Sequence, residues 1–327
     1  MNLAPIAIGT YTRLAHLKST VQALKENTLA HLSELYILSD APQPGDEDKV
    51  QQLREFANGI TGFKQVTVFK RTINGRVANN RGGMHQLLKK YGKVIFLEDD
   101  IVTAPGFLQF MNEALVAYED NPEVLSICGY APPLDYSQKT LNDTVALPRV
   151  IGWGLGLWLD KFEKIAPITL GDYQTITATA ESIENVNTQF GKDFINRYKA
   201  EAYGHIDGLD NRGSFLQMKT GMFSIHPKQS LVANIGNDGS GLHASKNNKF
   251  DVELCHKTAN FKLDSTPFVN EHIRQQSITF FAPNQDDMSP EIVDNIIAQI
   301  EAQQIYDITL WGTDVLTTLF LAKLPSH

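Results

Sequence analysis

Two cysteines in 327 residues, Cys128 and Cys255, are too few for a disulfide framework, and they lie in unlike surroundings. A reduced, cytoplasmic setting is the expectation. Positive charge is also in short supply. The chain has 29 Lys and Arg against 37 Asp and Glu, a formal net charge of −8, which argues against nucleic acid as the main partner. No apolar run is long enough to span a bilayer. The opening Met1-Asn-Leu-Ala-Pro-Ile-Ala-Ile has neither the basic start nor the long apolar core of a secretion signal. Internal repeats, low-complexity tracts and Cys–His spacings of the zinc type are missing as well. These absences leave a soluble or peripherally membrane-bound protein. Its 42% hydrophobic content can bury a sizeable core, and its length allows one large or two ordinary domains.

Through the first half, strand-like and helix-like segments alternate. Short apolar runs at residues 5–10, 35–38, 65–69, 94–97 and 124–128 predict strands. Apolar residues at helical spacing predict helices over 14–25, 46–56, 80–90 and 106–119. This order implies an α/β fold with a mostly parallel sheet and helices on both faces. From about residue 130 the regularity fades. Gly152-Trp-Gly-Leu-Gly-Leu-Trp158 is rich in glycine and tryptophan, the segment 204–212 is polar, and 234–243 reads as a glycine-rich loop. Irregular polar loops on such a scaffold are where substrates are held. The tail changes character again. A helix is expected over 289–303 with Ser289 as N-cap, and 306–324 is more apolar.

One stretch carries most of the chemistry. Lys93-Val-Ile-Phe-Leu-Glu98-Asp99-Asp100 reads as a core strand ending in three carboxylates. Like charges packed at a strand end are costly unless a cation joins them, and hard divalent cations prefer oxygen ligands completed by water and phosphate. Ligands of open α/β sheets collect at the carboxyl ends of strands. The alternative is a solvated acidic turn. Thr10-Tyr11-Thr12-Arg13 opens the first helix, where a helix N-terminus and a guanidinium suit phosphate or nucleotide contacts, or else form a plain cap with a surface Arg.

Four segments in order carry a resemblance. These are Pro5-Ile-Ala-Ile-Gly-Thr-Tyr-Thr-Arg13, residues 71–80, Tyr91-Gly-Lys-Val-Ile-Phe-Leu-Glu-Asp-Asp100, and Asn234-Ile-Gly-Asn-Asp-Gly-Ser-Gly-Leu-His243. Over residues 4–245 the chain resembles bacterial family-2-like glycosyltransferases of polysaccharide gene clusters. Their fold is GT-A, and their Glu-Asp-Asp signature recurs in the N-acetylglucosaminyltransferases that build N-glycans. The resemblance implies a Rossmann-like GT-A domain whose residues 1–130 bind the nucleotide sugar and 131–285 the acceptor, followed by a helical extension over 286–327. It implies a metal-dependent, inverting transfer from a nucleotide sugar, UDP-linked in the first instance, to a saccharide or lipid-linked saccharide acceptor of lipopolysaccharide or capsule at the inner face of the cytoplasmic membrane. A hexosyl, N-acetylhexosaminyl or galactofuranosyl transferase would fit equally.

Carried over residue by residue, the resemblance makes Asp100 the ligand of Mn2+ (or Mg2+), with His243 a further ligand and Asp238 a weaker one. Asp99 would reach the donor ribose or a metal-bound water. Asp40 stands where the uracil edge is held, although a turn-forming Asp before Pro42 reads almost as well. Arg71, Asn74, Ala78 and Asn80 match a donor-side pattern, and Arg76 stands where a glycine is common. Thr10, Tyr11 and Arg13 complete the donor side. Asp207 and Arg212 match an Asp followed five residues later by Arg upstream of the glycine-rich loop, which makes Asp207 the base that takes the acceptor proton. Asp210 could take that role instead, since the aromatic residues usual around this Asp are missing. Trp153 and Trp158 match a segment that lines the cleft in such enzymes, Trp153 being the favoured one, although burial in the core is the more common fate of Trp. Residues 286–327 could pack on the catalytic domain, form a homodimer contact or lie against a membrane. Two other classes stay in view: a nucleotidyltransferase, whose basic glycine-rich loop after strand one is not found here, and a non-catalytic saccharide-binding or scaffold protein of the same fold.

Overall fold

The computed structural model describes residues 2–136, 142–236 and 249–282. The first half follows the expected alternation: β1 (Ile6–Thr10), α1 (Leu14–Lys25), β2 (Glu34–Ser39), α2 (Glu47–Asn58), β3 (Gln65–Lys70), α3 (Arg76–Tyr91), β4 (Lys93–Glu98), β5 (Ile101–Thr103), α4 (Phe107–Ala117) and β6 (Val124–Cys128). Every residue of β1 and β6 is buried, as are the four central residues of β4. Strands covered on both faces need continuous apolar runs of this kind. The flanking helices bury one stripe each: Leu17, Val21 and Leu24 on α1, and Val50, Leu53 and Ala57 on α2. Helix α3 lies close on the sheet because Gly83 has no side chain. A Cβ there would stand 2.6 Å from Leu38 Cδ1. The helix ends at Gly92, whose φ of +77° is the left-handed cap that glycine tolerates.

The second half supplies β7 (Thr144–Leu147), β8 (Leu155–Trp158), α5 (Leu159–Phe162), α6 (Leu170–Ile176), α7 (Ala180–Gln189), α8 (Asp193–Ala202), α9 (Leu209–Thr220), β9 (Phe223–Pro227), β10 (Val232–Asn234) and α10 (Glu271–Phe281). The main sheet has the order β3-β2-β1-β4-β8-β6-β9-β7, and β5 pairs with β10 in a separate two-stranded ribbon. Pairings β1–β2, β2–β3, β1–β4 and β6–β9 are parallel. Strands β8 and β7 run against their neighbours. Six strands therefore share one direction and two oppose it, so the sheet is mostly parallel, in the α/β class expected.

More of the second half is regular than its composition suggests. The glycine- and tryptophan-rich segment is not a loop throughout, because β8 is a fully buried central strand. Gly156 lies there because a Cβ would meet Met111 and Leu115 of α4 at 2.9 and 3.3 Å, and Trp158 donates its indole N–H to Leu115 O at 3.0 Å from the core. Helices α6 to α9 gather around a small core of Ile168, Val186, Phe194, Tyr198 and Phe215. Helices α6 and α7 each open with a capping box, Thr169 with Asp172 and Thr179 with Ser182. The expected helical extension beyond residue 285 lies outside the described residues.

A buried ion pair ties this helical group to the sheet. Arg149, just after β7, donates to both oxygens of Asp193 at 3.0 and 2.9 Å, with its guanidinium over the Phe194 ring. Removing one partner strands the other charge in the interior. Arg149→Met is expected to lower unfolding free energy in urea by about 3 kcal/mol. That is the low end for a buried pair, because Arg197 stays 3.4 Å from Asp193. The double variant Arg149→Met with Asp193→Leu should recover most of the loss.

Candidate functional site

Strand β1 has β2 on one side and β4 on the other, so successive connections leave it in opposite directions. The carboxyl ends of the strands at such a switch point border a natural crevice. Gly9 pairs with Leu38 and with Glu98, which brings Thr10, Asp40 and the acidic end of β4 to one edge. The Asn80 side chain lies directly over Gly9, where a Cβ would stand 2.3 Å from Asn80 Oδ1.

Asp99 and Asp100 turn the chain from β4 into β5 and are only 3% and 6% exposed. Thr10 Oγ1 donates to Asp99 Oδ2 at 2.8 Å, Arg13 Nη2 to Asp99 Oδ1 at 2.5 Å, and Thr20 Oγ1 to the Asp99 carbonyl at 2.7 Å. The same Arg13 nitrogen is 2.8 Å from Asp100 Oδ2. The β5–β10 ribbon carries the following chain over this pair. Ile235 N donates to the Asp100 carbonyl at 2.9 Å, and a Cβ at Gly236 would fall 2.2 Å from Asp100 Oδ2. Glycine is required at 236 by that approach. The other oxygen, Asp100 Oδ1, is buried with no hydrogen-bond partner among the described residues.

The electrostatics follow from this crowding. Burial, then repulsion from Asp100, pushes the Glu98 carboxyl up to about 7, against the pull of Arg76. Burial also holds the Asp99 carboxyl above its ordinary range, although Arg13 and Thr10 oppose it. Burial works against the charge on Arg13, but Asp99 and Asp100 outweigh it and hold the guanidinium pKa above its usual value. A buried carboxylate oxygen without a donor suits a hard divalent cation. Among the described residues no group of three or more His, Cys, Asp or Glu could hold a metal by itself. His243 and Asp238, the expected further ligands, lie outside the described residues.

The Asp40 carboxylate is buried and engaged by its own surroundings. It accepts from Ala41 N at 2.8 Å and from Gly75 N at 3.1 and 3.0 Å, with Arg71 Nε at 3.5 Å. Arg71 also donates to Ile73 O. Asn74 spans the same turn, donating to Ala41 O at 2.7 Å. Tyr11 is pinned above it, accepting from Gln43 N and donating to Asp46. Arg54 of α2, which the sequence did not single out, joins Ser39, the Asp40 carbonyl and the Arg71 carbonyl.

Asp207 and Arg212 meet, with Arg212 Nη2 2.7 Å from Asp207 Oδ2. Two further residues complete that group. Arg81 Nη2 lies 3.0 Å from Asp207 Oδ1, as an ion pair out of hydrogen-bond alignment. Buried Glu201 accepts from Arg212 Nε at 2.9 Å and from Gly208 N. Burial, then repulsion from Arg212, holds the Arg81 guanidinium below its ordinary pKa. Arg76 reaches the Asp207 carbonyl at 3.4 Å, and both Arg76 and Asp210 act on Glu98. The Asp207 group thus borders the acidic end of β4. Beside it a groove of about 590 Å³ runs along α3, lined by Arg76, Ala78, Arg81, Gly82, His85 and Phe162 among others. Trp153 is half-buried, edge-on to Tyr130 at 4.8 Å and to Phe250 at 5.7 Å.

No family model matches the chain, and no curated protein matches it in sequence. Among solved structures, a mannosyltransferase of Pyrobaculum calidifontis in complex with GDP-Man and Mn2+ is 16% identical over 50% of this chain and 46% of its own, with a TM-score of 0.35. TarS of S. aureus is 11% identical over 62% of this chain and 43% of its own, at 0.34. The glycosyltransferase GlyE of Streptococcus pneumoniae is 13% identical over 68% and 44%, at 0.33. The chain spans less than half the length of each of these three, and at such scores the likeness carries no argument about activity.

The Glu98 shift has a sign that can be checked. The folded state keeps the Glu98 proton up to about pH 7, whereas the unfolded chain releases it near 4.5. The folded state therefore binds more protons in that window, and stability falls as pH rises from about 4.5 through 7. Glu98→Gln should flatten that fall in metal-free protein. Urea midpoints measured across this range for both proteins test it, and parallel curves would remove Glu98 as the source.

Proposed function

We propose that the chain is a metal-dependent, inverting glycosyltransferase. It would move a sugar from a nucleotide donor, UDP-linked in the first instance, to a saccharide acceptor of a bacterial surface polysaccharide. The observation that supports this reading is that two groups border the acidic end of β4. One is buried Asp100 with its unpartnered Oδ1; the other is Asp207, held between Arg81 and Arg212.

Asp100 would hold Mn2+ or Mg2+, which when bound supplies Lewis-acid neutralisation of the leaving diphosphate. The chain's own residues do the rest. Thr10 and Arg13 fix Asp99, whose remaining lone pairs face the donor ribose. The α1 N-terminus and Arg13 suit the diphosphate, and the Asp40, Arg71 and Asn74 turn shapes the nucleobase end. Asn80, over Gly9, lies between these two ends. The acceptor hydroxyl attacks the anomeric carbon from the side opposite the diphosphate, the carbon–phosphate-oxygen bond breaks, and Asp207 takes the hydroxyl proton. Arg81 and Arg212 keep its carboxylate aimed, and Trp153 offers an aromatic edge to the sugar. The acceptor would be assembled on lipid at the inner face of the cytoplasmic membrane. No helix of the described residues is long and apolar enough to cross a membrane, so contact there would be peripheral.

Two variants separate the roles. Asp100→Asn is expected to weaken Mn2+-dependent UDP binding, followed by calorimetry, about tenfold or more; unchanged affinity would sink the metal assignment. Asp207→Asn should bind UDP normally yet lose about 10²–10⁴-fold in sugar transfer. Near-normal turnover would move the base to Asp210 or elsewhere. Hydrolysis of a panel of UDP-sugars with Mn2+ identifies the donor, and failure of every sugar nucleotide to turn over would overturn the glycosyltransferase reading.

A further inference from the structure

We infer that Arg13 is the resident counter-ion of the metal site. Its guanidinium neutralises Asp100 until a metal–diphosphate unit enters, and it then transfers from Asp100 to the diphosphate while staying on Asp99. The inference rests on the metal-dependent reading above.

Three features of the site lead there. Arg13 Nη2 bridges the two carboxylates, 2.5 Å from Asp99 Oδ1 and 2.8 Å from Asp100 Oδ2, so its positive charge lies against the carboxylate that would hold a metal. The chain at Gly236 closes over the far side of this contact. A Cβ there would stand 2.2 Å from Asp100 Oδ2 and 3.1 Å from Arg13 Nη1, so Oδ2 and the guanidinium are enclosed together. Asp100 Oδ1, in a residue 94% buried, is left with no hydrogen-bond partner among the described residues. An arriving bare cation would thus find one available oxygen and a fixed positive charge a few ångströms away. Repulsion at that distance is strong in a site so poorly hydrated.

A nucleoside diphosphate changes the balance. Arg13 is the residue that opens α1, and a quarter of its side chain is exposed, so it can swing without unpacking the core. Its new partner would lie at the N-terminus of the twelve-residue α1, where helix N–H groups already favour an anion. Diphosphate draws the guanidinium away from Asp100, and Asp100 is then free for the metal. The metal and the diphosphate should therefore bind with strong mutual preference, and Arg13 should be the source of it. This reasoning also gives the Arg13–Asp99 contact its purpose. Asp99, fixed by Thr10 and by Thr20 through its carbonyl, anchors the guanidinium while its Asp100 contact is exchanged.

The test is Mn2+ affinity with and without UDP, read as free Mn2+ by electron paramagnetic resonance, for wild type, Arg13→Gln and Arg13→Lys. Wild type should bind Mn2+ alone at least tenfold more weakly than in the presence of UDP. Arg13→Gln should bind Mn2+ alone about tenfold more tightly than wild type, with most of the UDP effect lost. Arg13→Lys, which keeps a cation there, should retain the wild-type pattern. In chelator Arg13→Gln should melt below wild type, and Mn2+ should raise its melting temperature by more. Equal or weaker Mn2+ binding by Arg13→Gln overturns the inference. If that variant does not fold, equal Mn2+ affinity of wild type with and without UDP overturns it. If wild type binds no Mn2+ even with UDP, the metal reading falls and this inference falls with it. If Asp100→Asn abolishes Mn2+ binding while Arg13→Gln leaves it at wild type, only the Arg13 role is lost.

Discussion

Two carboxylates buried side by side at the end of a core strand repel one another and lose their hydration, so the fold around them must supply compensation. Here the compensation is a single guanidinium and the Thr10 hydroxyl, while the Thr20 hydroxyl fixes the Asp99 backbone carbonyl. Arg13 opens α1, Thr20 lies inside it and Thr10 ends β1, so placing that helix against the β4–β5 turn and neutralising Asp99 and Asp100 are one event. The compensation stays incomplete. One oxygen of Asp100 lacks a partner, and Glu98 takes up its proton unusually easily. A site left short of positive charge in this way is prepared for a further cation, and the proposed function depends on that shortage.

The second half of the chain is arranged around the same edge. The β5–β10 pairing brings Ile235 and Gly236 over Asp100. Antiparallel β8 enters the sheet beside β4 and leads into the helical group that ends at α9. Asp207 lies just before α9, and its direction is set by groups from separate elements: Arg81 of α3, Arg212 of α9 and, behind Arg212, Glu201 of α8. A carboxylate fixed from several sides loses little freedom when it acts, which suits a proton acceptor that must meet a hydroxyl in one orientation. The Arg149–Asp193 pair holds this helical group against the sheet and so bears on the site from a distance.

Much of the first half was legible because each element there obeys one period. The helix at 14–25 and the strand at 124–128 match the sequence expectation residue for residue. Helix α3 starts earlier than expected because its first turn carries no apolar stripe: Arg76, Val77 and Ala78 line the groove, and the buried Asn79 donates to Leu38 O. In the second half the glycines misled. Gly156 is a packing glycine inside a strand, whereas glycine in a sequence reads first as a turn. The capping boxes of α6 and α7 were visible in the sequence, yet the short helices behind them bury few residues each and leave little periodicity. Asp207 with Arg212 could be paired through the resemblance, which carries an Asp followed five residues later by Arg. Arg81 and Glu201 could not. Each comes from a different helix, and Glu201 is a buried carboxylate, a placement that composition argues against until its two donors are known.

The charges at this edge share a pattern with a chemical consequence. The chain as a whole is acidic, and four of the arginines at this edge are matched to carboxylates, whereas Arg76 reaches the Asp207 carbonyl. Arg13 is matched to Asp99 and Asp100, Arg71 to Asp40, and Arg81 and Arg212 to Asp207 and Glu201. An open field of positive charge would attract any polyanion. A paired arginine that gives up a carboxylate for an anion must leave that carboxylate with another cation or in contact with water. At Asp40 and Glu201, backbone N–H donors remain to hold the carboxylate if its arginine moves. At Asp100 no such donor waits among the described residues, so an anion that draws Arg13 away there must bring a cation with it. A metal–diphosphate unit meets that requirement, and a bare phosphate or a bare sugar does not. On the proposed function the acidic strand end would select by charge pairing, as much through the buried position of Asp100 as through the residues that touch it.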